Sequence, residues 1–487
     1  MLFQLTYSYH KRSSIIQGLL DHMLRDGYSK RKGISMSKSK VQSMTTGSPL
    51  RLILVFMIPL LLGNLFQQFY NIVDAMIVGR LLGADALAAV GSSSSVQFLV
   101  LGFCMGSCAG FGIPVSQRFG AEDFEGLRRY VYHSLLVTAV IAVVLTTLTA
   151  WLCPFIMHIM QTPDNIYQDA YQYLLILFLG IPFTLLYNLL SSLLRAVGNS
   201  KAPFIFLAVS TFLNIFLDLF CIAVLKLGCA GAALATITAQ ALSGLACLVY
   251  IHRCMPVLKP RREDCRWNGT IARSLVVMGV PMGLQYSITA IGSMVMQSAN
   301  NGLGSIYVSG FTAGTKVKQF MLSPFDAVAT AMATFVGQNM GAHQMDRVRQ
   351  GIRLTLEVAI GYGIIAGLFM NVGGHFLASL FVSASNASVI DAAAQYMGAL
   401  GTLYWLLAIL DVTRYGIQSL GFSALSVISG ALEMVARILV ATIFVPLFGF
   451  HAICWTDQAA WVAACCYLIP MLLHLIHKVE REYKEKE

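Results

Sequence analysis

Long apolar windows recur along the chain, separated by short polar or basic intervals. Each window runs for about 19 residues or more almost without charge, enough to cross a hydrocarbon core of about 30 Å as a helix. Twelve fall at roughly residues 52–78, 84–113, 129–151, 168–190, 202–223, 229–251, 274–300, 306–336, 352–373, 394–419, 423–445 and 451–476. Prolines lie inside four of the predicted helices, at Pro59, Pro182, Pro281 and Pro324, where each removes a backbone hydrogen bond and permits a bend. They are either kinks of the kind membrane helices tolerate or hinges, and Pro59 is the one read as a hinge.

The pattern repeats. At an offset near 221 residues, "VSQRFGA" (Val115 to Ala121) aligns with "VGQNMGA" (Val336 to Ala342), and each is followed by a basic stretch. Pro59 pairs with Pro281, the "LG" at 82 with that at 303, and Gly198 with Gly421, each within two residues of that offset. Several matches in order indicate a duplication. An even number of helices per repeat makes both halves enter from the same side. The predicted fold is therefore an all-α membrane protein, with twelve transmembrane helices in two parallel six-helix bundles related by a pseudo-twofold axis along the membrane normal and a cavity between them. The predicted divisions are a basic tail over 1–48, a first bundle over 49–252, a basic linker over 253–273, a second bundle over 274–477 and a tail over 478–487.

Composition agrees with lipid as the solvent: 57% of residues are hydrophobic and 11% charged, where a soluble domain is nearer a quarter charged. The net charge of +10 would suit a nucleic-acid binder, but its placement excludes that reading. The cations gather in residues 1–51, after His477, and in alternate loops: Arg118, Arg128 and Arg129; Arg195 and Lys201; Arg253 to Arg273; Arg347, Arg349 and Arg353. The intervening loops hold only Arg80 and Lys226. This asymmetry predicts that both termini are cytoplasmic. The eleven cysteines are scattered through apolar segments and read as small buried hydrophobes, not as a disulfide framework. Residues 1–45 lack the apolar core of a signal peptide. Residues 1–35 are either upstream of a true start at Met36 or Met44, or a basic amphipathic tail on anionic lipid.

Against this apolar background a few polar groups carry the chemistry. Asn64, Gln67, Asn71 and Asp74 share one face of the first helix. An acid at the bilayer centre costs roughly 2.5–3.5 kcal/mol, against a gain of about 0.5 for each neighbouring Leu or Ile. Such a helix can bear that cost, so Asp74 is either a structural carboxyl held by its neighbours or part of a site. Asn214 and Asp218 are one turn apart on the fifth helix, and Thr236 comes down the sixth to a similar depth. Two carboxylates, an amide and a hydroxyl at one level can take up a proton, or bind a hard cation such as Na⁺, with oxygen ligands. At the offsets that fit locally, Asp74 falls on Val295 or Met296, Asn214 on Arg437 and Asp218 on Ala441, so the acidic cluster is not duplicated with the fold.

The second half has charges of its own, among them Lys316, Lys318, Asp326, Glu357 and Asp457. Asp411 with Arg414 and Glu433 with Arg437 have the spacing of intrahelical ion pairs. Gln285 and Asp411 join Asn64, Gln67 and Asn71 as residues predicted to line or support a substrate cavity. Signals for an enzyme fail. "GFTAGTK" (Gly310 to Lys316) lacks the spacing of a phosphate-binding loop, His474 and His477 lack an acidic partner for a metal, and no Ser, His and Asp constellation can be assembled.

Taken together, "PLLLGNLFQQFYNIVDAMIVG" on the first helix, "SQRFGAED" after the second, "LLRAVGNSKAP" after the fourth, "LNIFLDLF" on the fifth and "GAALAT" on the sixth resemble the multidrug and toxic compound extrusion (MATE) transporters of bacterial type, over about residues 48 to 475. The resemblance implies a secondary transporter without cofactors in the bacterial plasma membrane. Coupled to H⁺ or Na⁺, it would export amphiphilic, often cationic, small molecules by alternating access. The cation site that it implies falls on Asp74, Asn214, Asp218 and Thr236. A second site in another branch uses a seventh-helix Glu and a tenth-helix Asp; here the seventh helix, "VPMGLQYSITAIG", has no acid, and only Asp411 matches. The expected partners are substrate and membrane lipid, with no nucleic acid, and the expected state is a monomer. The rival readings are a flippase for a lipid-linked sugar or lipid, which would line its cavity with cations, and a membrane-embedded enzyme.

Overall fold

The computed structural model describes residues 42–160, 162–383 and 386–485; the predicted basic tail up to residue 41, including Met36, lies outside them. Among the described residues ten helices are long and apolar enough to cross a membrane, and two bent pairs bring the number to twelve when each pair is one span. In order, the spans are Pro49–Leu82, Ala84–Gly120, Phe124–Ile159, the pair Asp164–Leu179 and Ile181–Ala196, Lys201–Leu219 and Gly228–Cys254. The second six are Gly269–Asn301, Ser305–Gly341, Met345–Ser379, the pair Ala387–Thr402 and Tyr404–Ser419, Ser423–Leu439 and Phe450–Lys484. The outer surface is apolar to a degree that water would not tolerate: Val372 is 88% exposed and Trp151 75%.

The duplication seen in "VSQRFGA" and "VGQNMGA" runs through the backbone. The fourth span bends by 47° at its break and the tenth by 56°. The fifth span runs into a π turn at Phe220–Val224 and the eleventh into one at Val440–Phe444. Residues with positive φ also come in pairs, Gly83 with Gly304, Glu122 with His343, Gly198 with Gly421 and Gly228 with Gly449. Pro59, Pro281 and Pro324 lie inside helices as expected. Pro182 does not: it sits in the first turn of Ile181–Ala196, where its missing N–H costs no helical bond, and the bend is made just before it.

Each half has its own core, and the two cores exchange an edge. Ile53 and Phe56, at the base of the first span, pack into the core of the second half, while Ala272 and Leu275, at the base of the seventh, pack into that of the first. The second and seventh spans share the most extensive helix–helix interface in the described chain. At the end that carries the basic loops, the two copies of the repeated motif meet. Gln117 Nε2 donates to the Ser419 carbonyl of the second half (3.2 Å), and Gln338 Nε2 donates to the Ala196 carbonyl of the first (2.9 Å). Backbones approach closely enough there that a Cβ on Gly120 would stand 1.8 Å from the Gln338 carbonyl oxygen, and one on Gly341 1.7 Å from that of Gln117. The identical Gln and Gly of the motif are thus a pair of clasps between the halves, related by the repeat.

Candidate functional site

Asp74 lies in the outer part of the first span, and its carboxyl meets that of Asp218 on the fifth. Asp218 is fully buried and lies two residues before the π turn at Phe220–Val224, a distortion that often accompanies functional positions in helices. Apart from their contact with each other, Asp74 Oδ1 and both carboxyl oxygens of Asp218 have no hydrogen-bond partner, and neither do the two amide atoms of Asn214, one turn away and also buried. No salt bridge among the described residues reaches either acid. Thr236 joins through a residue that spacing alone did not single out: Tyr70, one turn before Asp74, shares a hydrogen bond between its hydroxyl and Thr236 Oγ1 (3.0 Å) and lies in the field of both carboxyls. Tyr173 of the fourth span, buried and within reach of Gln97, faces the same pair. The i to i+4 relation of Tyr70 and Asp74 was a legible signal; nothing in the sequence pointed to Tyr173.

The rest of the first-helix stripe lies outside these contacts. Asn64 Nδ2 donates across the interface to the Ser323 carbonyl of the eighth span (3.4 Å). Asn71 is exposed and Gln67 half-buried. Gln285 is buried within the second half, its amide set between Gln418 (2.7 Å) and the Arg414 guanidinium, which makes it a supporting residue.

The second half is built on compensated charge. Lys318 pairs with Asp457 (2.5 Å), which also accepts from the Tyr396 hydroxyl (3.1 Å) and from Arg437 Nη2 (3.3 Å). Arg437 reaches Glu433 (3.4 Å), and Glu433 in turn pairs with Arg414, whose Nε donates to Ser429. The expected pairing of Asp411 with Arg414 is therefore corrected: the guanidinium turns across to Glu433 on the eleventh span, because a buried cation gains most from the carboxylate it can meet with short hydrogen bonds. Asp411, buried, keeps an oxygen without a hydrogen-bond partner and lies in the field of Asp326. Lys318 turns inward to Asp457 while Lys316 is exposed. Among the described residues no group of three His, Cys, Asp or Glu side chains could hold a metal ion.

A twelve-span fold of two parallel six-helix bundles, with an acid pair free of cations in the first and a ladder of ion pairs in the second, defines a membrane transporter. The chain belongs to the MatE family, whose model matches it twice, over residues 59–220 and again over 281–443, one match per half. It is 31% identical over 350 residues to the probable multidrug resistance protein YpnP of Bacillus subtilis, covering 72% of this chain and 78% of that one. It is 29% identical to the probable multidrug resistance protein YoeA of the same organism, over 75% of this chain and 84% of the relative. Its fold is that of a crystal structure of MATE in complex with MaL6, with a TM-score of 0.84 at 22% identity over 91% of this chain and all of the other. An outward-facing multidrug resistance MATE transporter superposes equally well.

Proposed function

We propose that this protein is a cation-coupled antiporter that exports amphiphilic, often cationic, organic compounds by alternating access, driven by H⁺ or Na⁺ entering the Asp74 and Asp218 site. The observation that carries the reading is the pair of adjacent carboxyls, Asp218 buried and Asp74 half-buried, with no cationic partner. Two adjacent carboxylates in a low-dielectric interior repel each other and lose hydration worth several kcal/mol per ion. A cation bound between them relieves both costs, and its arrival or departure is felt on the first and fifth spans together. Pro59 lies four turns below Asp74 on the same helix, so a shift at the site has a place to bend. One elementary charge moving through 100 mV supplies about 2.3 kcal/mol, roughly a fifty-fold concentration ratio, so one ion per cycle sustains useful efflux.

In this reading the basic loops face the cytoplasm, the protein sits in the plasma membrane as a monomer, and its partners are substrate and lipid. A flippase for a pyrophosphate-linked lipid would need cations free to meet the headgroup, whereas Lys318, Arg414 and Arg437 are each held by Asp457 or Glu433. The test is efflux of a fluorescent cationic dye from vesicles under an imposed proton gradient, then a sodium gradient. Asp74→Asn and Asp218→Asn should each lower gradient-driven efflux at least about tenfold while the proteins remain folded; full efflux by both variants would refute the coupling role. The gradient that drives the wild type names the ion.

A further inference from the structure

The two clasps at the basic end are related by the repeat, but a third component is not. The segment before the first span, Gln42 to Gly47, crosses from one half to the other. Gln42 lies against the first half, where its carbonyl oxygen occupies the space beside Gly198 so closely that a Cβ there would stand 2.0 Å from it. Two residues on, Met44 is fully buried in the core of the second half. Its backbone N–H donates to Gln338 Oε1 (2.8 Å), and its carbonyl accepts from Asn339 Nδ2 (3.1 Å) and from Arg347 Nη2 (3.0 Å). Arg347 Nη1 also reaches the Gly47 carbonyl (2.9 Å), and its Nε is held by Asn339 Oδ1 (2.9 Å).

The position of this seat gives it its meaning. Gln338 is the clasp residue, and its amide holds the strap with its oxygen and Ala196 of the first half with its nitrogen. The strap thus completes a hydrogen-bond chain from the Met44 backbone through Gln338 to the end of the fourth span. The repeat does not reproduce this seat: the corresponding segment before the seventh span is held on the first half by other residues, Asp264 by Arg128 Nε (2.7 Å) and the Asn268 N–H by His133 Nε2 (2.8 Å). The positions of the first half that correspond to Asn339 and Arg347 are Arg118, which pairs locally with Asp123, and Gly126, which has no side chain.

We propose that the strap from Gln42 to Gly47 is a bolt on the gate at the basic end: seated, it holds the two halves together there, and it must leave the Gln338, Asn339 and Arg347 seat before that end can open. The purpose of the gate rests on the alternating-access reading, but whether the strap holds it shut can be measured without substrate or gradient. The experiment is peptide-resolved hydrogen–deuterium exchange on the full chain in lipid nanodiscs, comparing the wild type with Met44→Gly and Arg347→Ala. Arg347→Ala removes the charge-assisted hydrogen bonds to the Met44 and Gly47 carbonyls, and Met44→Gly keeps its backbone bonds but withdraws a buried side chain from the second-half core; either loss is worth roughly a tenfold or greater change in an opening equilibrium. Exchange should rise by about that factor at residues 115–121 and 193–199, which belong to the first half, while residues 74–90 and 215–235 at the opposite end stay unchanged. A rise confined to residues 42–48 and 339–350 overturns the proposal and leaves the strap a passive cover. Should Arg347→Ala loosen the ninth span throughout, Met44→Gly, which lies outside every span, carries the decision.

Discussion

Substituting Gly120 by alanine tests the gate most sharply. The new methyl carbon would stand 1.8 Å from the Gln338 carbonyl oxygen, whereas a carbon and an oxygen in close contact sit about 3.3 Å apart or more. The two backbones must therefore part by about 1.5 Å, because a backbone carbonyl inside a helix cannot swing aside as a flexible side chain could. Such a movement carries Gln338 Nε2 and Ala196 O, now 2.9 Å apart, past the limit of a hydrogen bond, and the Gln117 bond to Ser419 with it. Two buried bonds at about 1 kcal/mol each, with an overpacking cost of about 1–3 kcal/mol, disfavour the closed arrangement by about 3–5 kcal/mol. At 1.4 kcal/mol per decade, that is a shift of roughly a hundred-fold or more toward the form open at the basic end.

The assay is the rate at which Ser419→Cys, fully buried in the closed form, reacts with a hydrophilic maleimide in the purified protein, read by mass spectrometry with the exposed linker residue Cys265 as internal standard. Gly120→Ala should raise that rate at least about tenfold over Gly361→Ala, a glycine with open space around it. Equal rates in the two variants would show that the clasp does not hold the end shut.

Two further outcomes follow from the charges. Glu433→Gln strips the shared partner from Arg414 and Arg437, both buried, and should destabilise the protein in detergent by about 3–5 kcal/mol, against about 0.5 or less for Lys316→Ala on the exposed face; a melting temperature equal to the wild type would contradict the compensated ladder. In the linker, burial pushes the Asp264 carboxyl up, but hydrogen bonds from Arg128 Nε (2.7 Å) and the Arg261 backbone N–H (2.9 Å), with the charge of both arginines, outweigh it and hold the group below its ordinary range. A depressed carboxyl contributes stability at pH above its unfolded value near 4 and loses it as pH falls through the folded value. The stability gap between wild type and Asp264→Asn should accordingly be present at pH 7 and narrow below about pH 4, and a gap that widens with acid would reverse the sign of the argument.

The sequence made the spans and the repeat legible because lipid forces every backbone polar group into helical bonds, so hydropathy alone marks the segments. Asp74, Asn214 and Asp218 were legible for the opposite reason: a polar group is conspicuous where nearly all others are apolar. What did not show was partner choice. Arg414 stands three residues from Asp411, and spacing on one helix favoured that pair; only packing of the tenth span on the eleventh brings Glu433 to it. The inward turn of Lys318 toward Asp457 and the placement of Tyr173 beside the acids are likewise products of packing between spans far apart in sequence. The motif "VSQRFGA" was visible as a repeat but not as a contact, since its glutamines bond across an interface that no local pattern describes.

The division between what was duplicated and what was not has a mechanical consequence. The contacts that join the halves at the basic end come in repeat-related pairs, Gln117 to Ser419 and Gln338 to Ala196, and a movement about the axis that relates the halves must make or break both together. The Asp74 and Asp218 pair lies in the first half, and the compensated ladder lies in the second with Asp326 and Asp411 beside it, so under the proposed coupling a cation arriving between Asp74 and Asp218 acts on the first half. The first span connects the two: it carries Asp74 in the first half, while Ile53 and Phe56 at its base lie in the core of the second and the Gln42 to Gly47 strap leads into it. A displacement of that helix at its outer end is therefore transmitted, through a base anchored in the other half, to the interface where the clasps lie. An asymmetric chemical event can in this way govern a symmetric gate without any residue of the site touching it.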